Sequence, residues 1–156
     1  MSAESRTVRR AVALSAPPER VYAFHLDTRN AASMAPPGFR MDVVDGRFPL
    51  VEGAHVTVRM RQRPLPGTAL WELRVAELVP GARMVDEAVR SPFARWSHAH
   101  AFHGTDGGTT MTDTITYALP GGRTVNAVAG PVVDRMLRAA LAYRHRRTAR
   151  AVGAAA

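Results

Sequence analysis

Two histidines, His98 and His100, stand one residue apart in "RWSHAHAFHGTDGGTTMTDTITY", residues 95 to 117, and Asp113 follows among apolar residues beyond a glycine-rich turn. A further acid, Asp86, precedes them in "RMVDEAVR". Imidazole exchanges protons near neutral pH, and a carboxylate within reach sets its tautomer and basicity. These four groups could therefore do acid–base chemistry, with His98 or His100 moving the proton and Asp113 or Asp86 orienting the ring. Enolisation, dehydration or aldol closure would need that pair. The same residues could instead be a satisfied buried network, because an enclosed carboxylate requires a donor. Two histidines and a carboxylate are also the donor set of a facial metal triad. His-x-His on a strand is equally what simple alternation produces, so no metal and no cofactor are expected.

Strand register decides which of these side chains meet, since successive residues point to opposite faces. "DG" at residues 106 and 107 reads as a two-residue hairpin loop. Thr105 then pairs with Gly108, His100 with Asp113, Phe102 with Met111 and Trp96 with Tyr117. One face of the hairpin carries Trp96, His98, His100, Phe102, Met111, Asp113, Ile115 and Tyr117. The other carries small residues and threonines and reads as the solvent side. Extending back through "SPF" and "VPG" turns Met84, Asp86, Ala88 and Arg90 inward, then Trp71, Leu73, Val75 and Glu77. The expected result is a cross-strand row of Asp86, His100 and Asp113 with His98 diagonal to it, beside a second row of Trp71, Arg90, Trp96 and Tyr117. An inward guanidinium needs a partner, and for Arg90 that would be an aromatic face, Glu77, Asp86 or a ligand carboxylate.

Six alternating segments separated by Gly and Pro turns, after a first strand at "RTVRRAVAL", predict an antiparallel meander. Ser15 reads as the cap of a helix over "APPERVYAFHLD", and a second short helix over "TRNAASM" stops at Pro36 and Pro37. "PGGRTVNAVAG" reads as a crossing segment. A long helix is then predicted from Pro131 to about Arg150, with Val133, Met136, Leu137, Ala140, Leu141 and Tyr143 toward one side. A curved sheet with one apolar face needs a cover, and that helix provides it. The expected ligand-facing set is Trp71, Leu73, Met84, Arg90, Trp96, Phe102, Met111, Ile115, Tyr117, Met136 and Leu137.

At 156 residues the chain reads as one domain, ordered over about 6–150 with 151–156 as a frayed tail. The absence of cysteine excludes disulfides, thiolate catalysis and zinc–cysteine sites. The formal charge of +8 comes entirely from arginine. Its dense run "YRHRRTAR" has one interleaved aromatic, so a nucleic-acid partner is not expected. No apolar run approaches the roughly 20 residues that span a bilayer. The N-terminus lacks a secretory apolar stretch, which makes the cytoplasm the expected location. No phosphate-cradling loop, dinucleotide fingerprint or nucleophile elbow is present.

The order of elements, together with "LSAPPERVYAFHLDTRNAASMAPP", "WELRV", "VDEAVRSPFARWSHAHAF" and "GGTTMTDTITYALPGG", resembles the START-like superfamily, also called SRPBCC or Bet v 1-like. The resemblance implies an α+β helix-grip fold, seven antiparallel strands curled around a long C-terminal helix with two short helices after the first strand. It also implies a cavity between sheet and helix. Lipid-transfer proteins, plant hormone receptors and bacterial polyketide cyclases share the fold, so fold alone does not choose a chemistry. The leading expectation is binding of a hydrophobic or aromatic small molecule. The alternatives are a cofactor-independent cyclase, aromatase or dehydratase, and an interaction protein that docks through its basic terminal helix.

Overall fold

The computed structural model describes residues 4–153. Its seven strands are β1 (Arg6–Leu14), β2 (Phe39–Asp45), β3 (His55–Gln62), β4 (Ala69–Val79), β5 (Arg83–Arg90), β6 (Arg95–Thr105) and β7 (Gly108–Ala118). The helices are α1 (Pro18–His25), α2 (Thr28–Ser33) and α3 (Gly122–Val152). All strands form one antiparallel sheet in the order β1-β7-β6-β5-β4-β3-β2. The two short helices follow β1 and the long helix lies across the inner face. This is the helix-grip architecture that the resemblance implies.

The β6–β7 register is the one the hairpin loop dictates, with His100 opposite Asp113, Phe102 opposite Met111 and Trp96 opposite Tyr117. The β5–β6 register differs from the expectation by two residues. Asp86 faces His98, and Met84 faces His100. The connection after β5 is longer than a tight turn, so nothing local sets the count. A slip of two residues preserves the face while changing the partners.

Two irregularities in the β4–β5 pairing correct the inward set further. The register shifts between Val75 and Glu77, so Glu77 turns outward to an ion pair with Arg83 at 2.9 Å and Leu78 takes the inner place. A second shift, at Glu72 and Leu73, sets Arg90 opposite Glu72 on the outer face, where Arg90 is exposed. A bulge inserts one unpaired residue and so reverses the alternation beyond it.

Helix α3 begins well before Pro131, which lies inside it. "PGGRTVNAVAG" is therefore mostly helix. Gly121 and Gly122, with φ of 100° and 80°, make the turn from β7 that a side chain would strain. A proline inside a helix removes one backbone hydrogen bond. In that same turn Arg6 Nη1 reaches the Asn126 carbonyl at 3.4 Å, and Arg6 pairs with Asp134. The buried residues of α3 are Asn126, Gly130, Leu137, Leu141, His145, Thr148 and Val152, one stripe at helical spacing. Tyr143 lies outside that stripe, with Arg146 over its ring at 5.8 Å.

At the far end of α3 Val152 is buried, and Gly153 accepts a hydrogen bond from the Ser15 N–H at 3.0 Å. The expected frayed tail is thus packed as far as Gly153, and 154–156 lie outside the described residues. Ser15 ties β1 to this end of α3 and does not cap α1, whose N-cap is Pro17. Asp27 caps α2 by accepting the Arg29 N–H at 3.0 Å.

Candidate functional site

Between the concave face of the sheet, the short helices and α3 lies a cavity of about 640 Å³. Its walls are mostly apolar. Trp71, Leu73, Val58 and Met60 come from β3 and β4, Phe24 and Met34 from the short-helix segment, and Met136, Leu137, Ala140 and Leu141 from α3. Trp71 and Trp96 meet edge to face at 5.0 Å between ring centroids, and Phe93 packs on Trp96 at 4.9 Å. Aromatic pairs of this kind hold one another in fixed orientation and present flat apolar surface.

Seven of the eleven residues expected to face a ligand line this cavity: Trp71, Leu73, Met84, Trp96, Ile115, Met136 and Leu137. The other four are elsewhere. Arg90 is exposed on the outer face. Phe102 packs on Tyr22 and His25, at 5.9 and 5.4 Å, and Met111 is buried in the same core. Tyr117 points to α3, where its hydroxyl lies 3.0 Å from the Gly130 carbonyl and 2.8 Å from Asp134 Oδ1. Burial, with the negative Asp134 beside it, pushes this phenol up to about 12.

The titratable groups gather where β5, β6, β7 and α3 meet. Asp113 is buried at their centre. His98 Nε2 donates to its Oδ1 at 2.7 Å, and His100 Nδ1 lies 2.5 Å from the same oxygen at an angle outside hydrogen-bond geometry. His145 Nε2, from α3, donates to Oδ2. Burial alone would raise the Asp113 carboxyl. His100, His145 and His98 outweigh burial and hold it well below the usual carboxylate range.

Asp86 Oδ2 is 4.0 Å from His100 Nε2. Burial raises the Asp86 carboxyl, partly opposed by His100 and Arg144. Burial and the neighbouring His98 lower His100. His25 completes the group, its ring 5.0 Å from that of His100 and its Nδ1 donating to the Val21 carbonyl at 2.8 Å. Burial, then His100, brings His25 down to about 3.

His98, His100, Asp86, His25 and Arg144 line the cavity, whereas Asp113 and His145 lie behind its wall. The arrangement can bind a polar group, exchange a proton with it through His100 or Asp86, or hold a cation among its nitrogen and oxygen donors.

His145, His25 and Arg144 belong to this cluster and are absent from the expected set. His145 sits four residues beyond Leu141 on the buried stripe of α3, a spacing visible in the sequence. It is masked there by "YRHRRTAR", which reads as a charged helix end. His25 and Arg144 carry no comparable signal.

A family model described as polyketide cyclase / dehydrase and lipid transport matches residues 5–153. No curated protein sequence matches the chain. Among solved structures, a Chromobacterium violaceum protein is similar with a TM-score of 0.74 at 21% identity, covering 94% of this chain and 97% of its own. A Thermus thermophilus protein has a TM-score of 0.69 at 22% identity, over 94% and 99% of the two chains. The Zhui aromatase/cyclase of a Streptomyces species has a TM-score of 0.63 at 19% identity, over 96% and 92%. At these identities the likeness is one of fold.

Proposed function

From the premise that the chain belongs to the polyketide cyclase / dehydrase and lipid transport family, we propose that it binds an amphiphilic small molecule, lipid-like or polyketide-like. The apolar body of the ligand occupies the space between sheet and α3. Its polar end meets Asp86, His98, His100 and Arg144. The observation that carries this reading is the cavity itself, about 640 Å³, walled by Trp71, Trp96 and aliphatic side chains with ionisable groups gathered at the β5–β6–α3 junction. Small-molecule sites commonly occupy about 300–1,000 Å³ and combine apolar walls with a few placed polar groups.

Native mass spectrometry of the protein purified without detergent tests the reading, backed by displacement of an apolar fluorophore. A retained small molecule, or fluorophore uptake lost in Trp96→Ala, is the expected result. A chain that is empty and takes up no apolar probe overturns it.

A second reading makes the cavity a reaction chamber, and the Asp86–His100 pair favours it. Burial leaves the acid holding its proton more tightly and the base holding its own less tightly, 4.0 Å apart on the cavity wall. The Asp113 charge, 2.5 Å from His100 Nδ1, would stabilise the ring when it takes up a proton. Acid–base groups contribute typically about 10²- to 10⁴-fold to rate. His100→Gln and Asp86→Asn should then abolish turnover of a polyketide-like substrate while leaving its affinity within about tenfold. Unchanged turnover in a folded His100→Gln protein removes this reading and leaves the binding one standing.

A further inference from the structure

Asp113 is crowded in a way that hydrogen bonding does not require. Two imidazole nitrogens converge on its Oδ1, His98 Nε2 at 2.7 Å and His100 Nδ1 at 2.5 Å, and only the first makes a hydrogen bond. A ring nitrogen of His98, one of His100 and a carboxylate oxygen of Asp113 lie within 4.8 Å of one another, and all three residues are buried. Neither Asp113 nor Asp86 has an arginine within ion-pair distance among the described residues. The cluster thus concentrates negative charge and nitrogen lone pairs with no cationic side chain paired to them.

We propose that His98, His100 and Asp113 form a binding site for a divalent transition-metal ion of the zinc or ferrous class, with His145 as the residue that positions the carboxylate.

Metal–ligand bonds to histidine and carboxylate run about 2.0–2.2 Å, which sets neighbouring ligand atoms roughly 3 Å apart. The 2.5 and 2.7 Å contacts around Asp113 Oδ1 need to open by only a few tenths of an ångström, within reach of small side-chain rotations. Donors on paired strands are held by the sheet, since His100 and Asp113 are direct cross-strand neighbours and His98 is two residues along the same face.

Second-shell hydrogen bonds commonly fix the orientation of ligating groups. His145 Nε2 on Asp113 Oδ2 would do this, leaving Oδ1 for the ion. A donor set of two imidazoles and one carboxylate, in a chain with no cysteine, suits Zn²⁺, Fe²⁺, Co²⁺ or Ni²⁺ and disfavours Cu(I).

His98 and His100 line the cavity while Asp113 and His145 lie behind it. The site therefore borders the polar end of the cavity. The proposal does not depend on what fills the apolar part of the cavity.

The test uses the full chain without an affinity tag, purified in chelator-free buffer from cells supplied with zinc and iron. Metal content is measured by mass spectrometry, and the chelator-stripped protein is titrated with Co²⁺ while its visible absorption is followed. One ion per chain, with Co²⁺ binding lost in His98→Ala and in His100→Ala, is the expected result. His145→Gln should weaken Co²⁺ binding by about 10- to 100-fold without abolishing it, the usual effect of losing an outer-shell partner.

Circular dichroism identifies which variants are folded, and His98→Ala decides the case if His100→Ala does not fold. A wild-type chain that holds no ion and binds no Co²⁺ at millimolar concentration overturns the proposal. So does Co²⁺ binding that persists unchanged in folded His98→Ala. Neither failure touches the cavity's capacity for an apolar ligand, which the fluorophore measures separately.

Discussion

Two charged clusters join α3 to the sheet, and they are completed to different degrees. At one end Arg6 meets Asp134 through Nη2 at 2.5 Å and Nε at 3.1 Å, while the Tyr117 hydroxyl shares its proton between Asp134 and the Gly130 carbonyl. Cation, anion and phenol are matched there. Gly130 leaves room for the arginine, since a Cβ at that position would collide with the Arg6 side chain.

At the other end Asp113 collects three imidazoles, while among the described residues His100 Nδ1 and His145 Nδ1 are buried without a hydrogen-bond partner, against the single amide nitrogen of Asn126 beside the first cluster. Buried polar groups are almost always paired, so an unpaired one asks for an explanation. The finished cluster reads as a clamp. The unfinished one, on the cavity wall, is the place where a further partner would be accommodated.

The largest expected effect breaks the clamp. Tyr117→Ala should cost about 3–5 kcal/mol in chemical denaturation, because it empties a fully buried aromatic site and strands the hydroxyl's partners. Trp96→Ala sharpens the contrast. It lines the cavity and is only partly buried, so it should lose less stability than Tyr117→Ala and more affinity for an apolar fluorophore. A larger loss of affinity from Tyr117→Ala, with fold intact, would put the cavity at the wrong end of the sheet.

Next in size is Asp113→Asn. Removing the charge that three imidazoles face should lower stability by about 2–3 kcal/mol, the scale of hydrogen bonds to charged groups. A neutral effect on the denaturation midpoint would mean that the cluster contributes nothing to holding α3 on β7.

Acidification should separate the clusters further. His25, at about 3 when folded, and the lowered His100 take up protons more readily in the unfolded chain. Their folded-state pKa values are depressed, so the unfolded state binds more protons as pH falls below about 6.5, and stability falls with it. Each group contributes up to about 1.4 kcal/mol per pH unit between about 6.5 and its folded value. Asp86, raised by burial, acts in the opposite sense. His25→Leu isolates one contribution and should flatten the dependence of melting temperature on pH between 6.5 and 4.5, by roughly that slope. An identical profile in wild type and variant would refute the uncharged state of His25.

The smallest effect is expected outside both clusters. Arg146, Arg147 and Arg150 are exposed on the last turns of α3. Replacing all three with glutamine should leave fluorophore binding unchanged and stability within about 0.5 kcal/mol. A large loss of binding would show that the end of the helix closes the cavity.

Much of this molecule is legible in the sequence because its signals are local. Period-two alternation marks all seven strands to within a residue or two, and the "DG" loop sets the β6–β7 pairing that brings His100 to Asp113. A two-residue loop leaves one register open to the strands it joins. The aromatic wall of Trp71 and Trp96 follows from the same alternation.

What tertiary structure decided lies where that local count is lost. The connection between β5 and β6 does not specify a register, so Asp86 meets His98 across the strands although the sequence reads it opposite His100. The bulges beside Val75 and Leu73 turn Glu77 and Arg90 out of the interior, and bulges carry no sequence mark strong enough to count through. Pro131 reads as a helix start, because its cost inside a helix is visible in sequence while the packing of α3 on the sheet, which holds the helix together through it, is not. His145 joins Asp113 by the same kind of distant meeting. Only the docking of α3 on the sheet places a histidine from a charged helix end against a buried aspartate, since side chains far apart in sequence are brought together by packing and not by spacing.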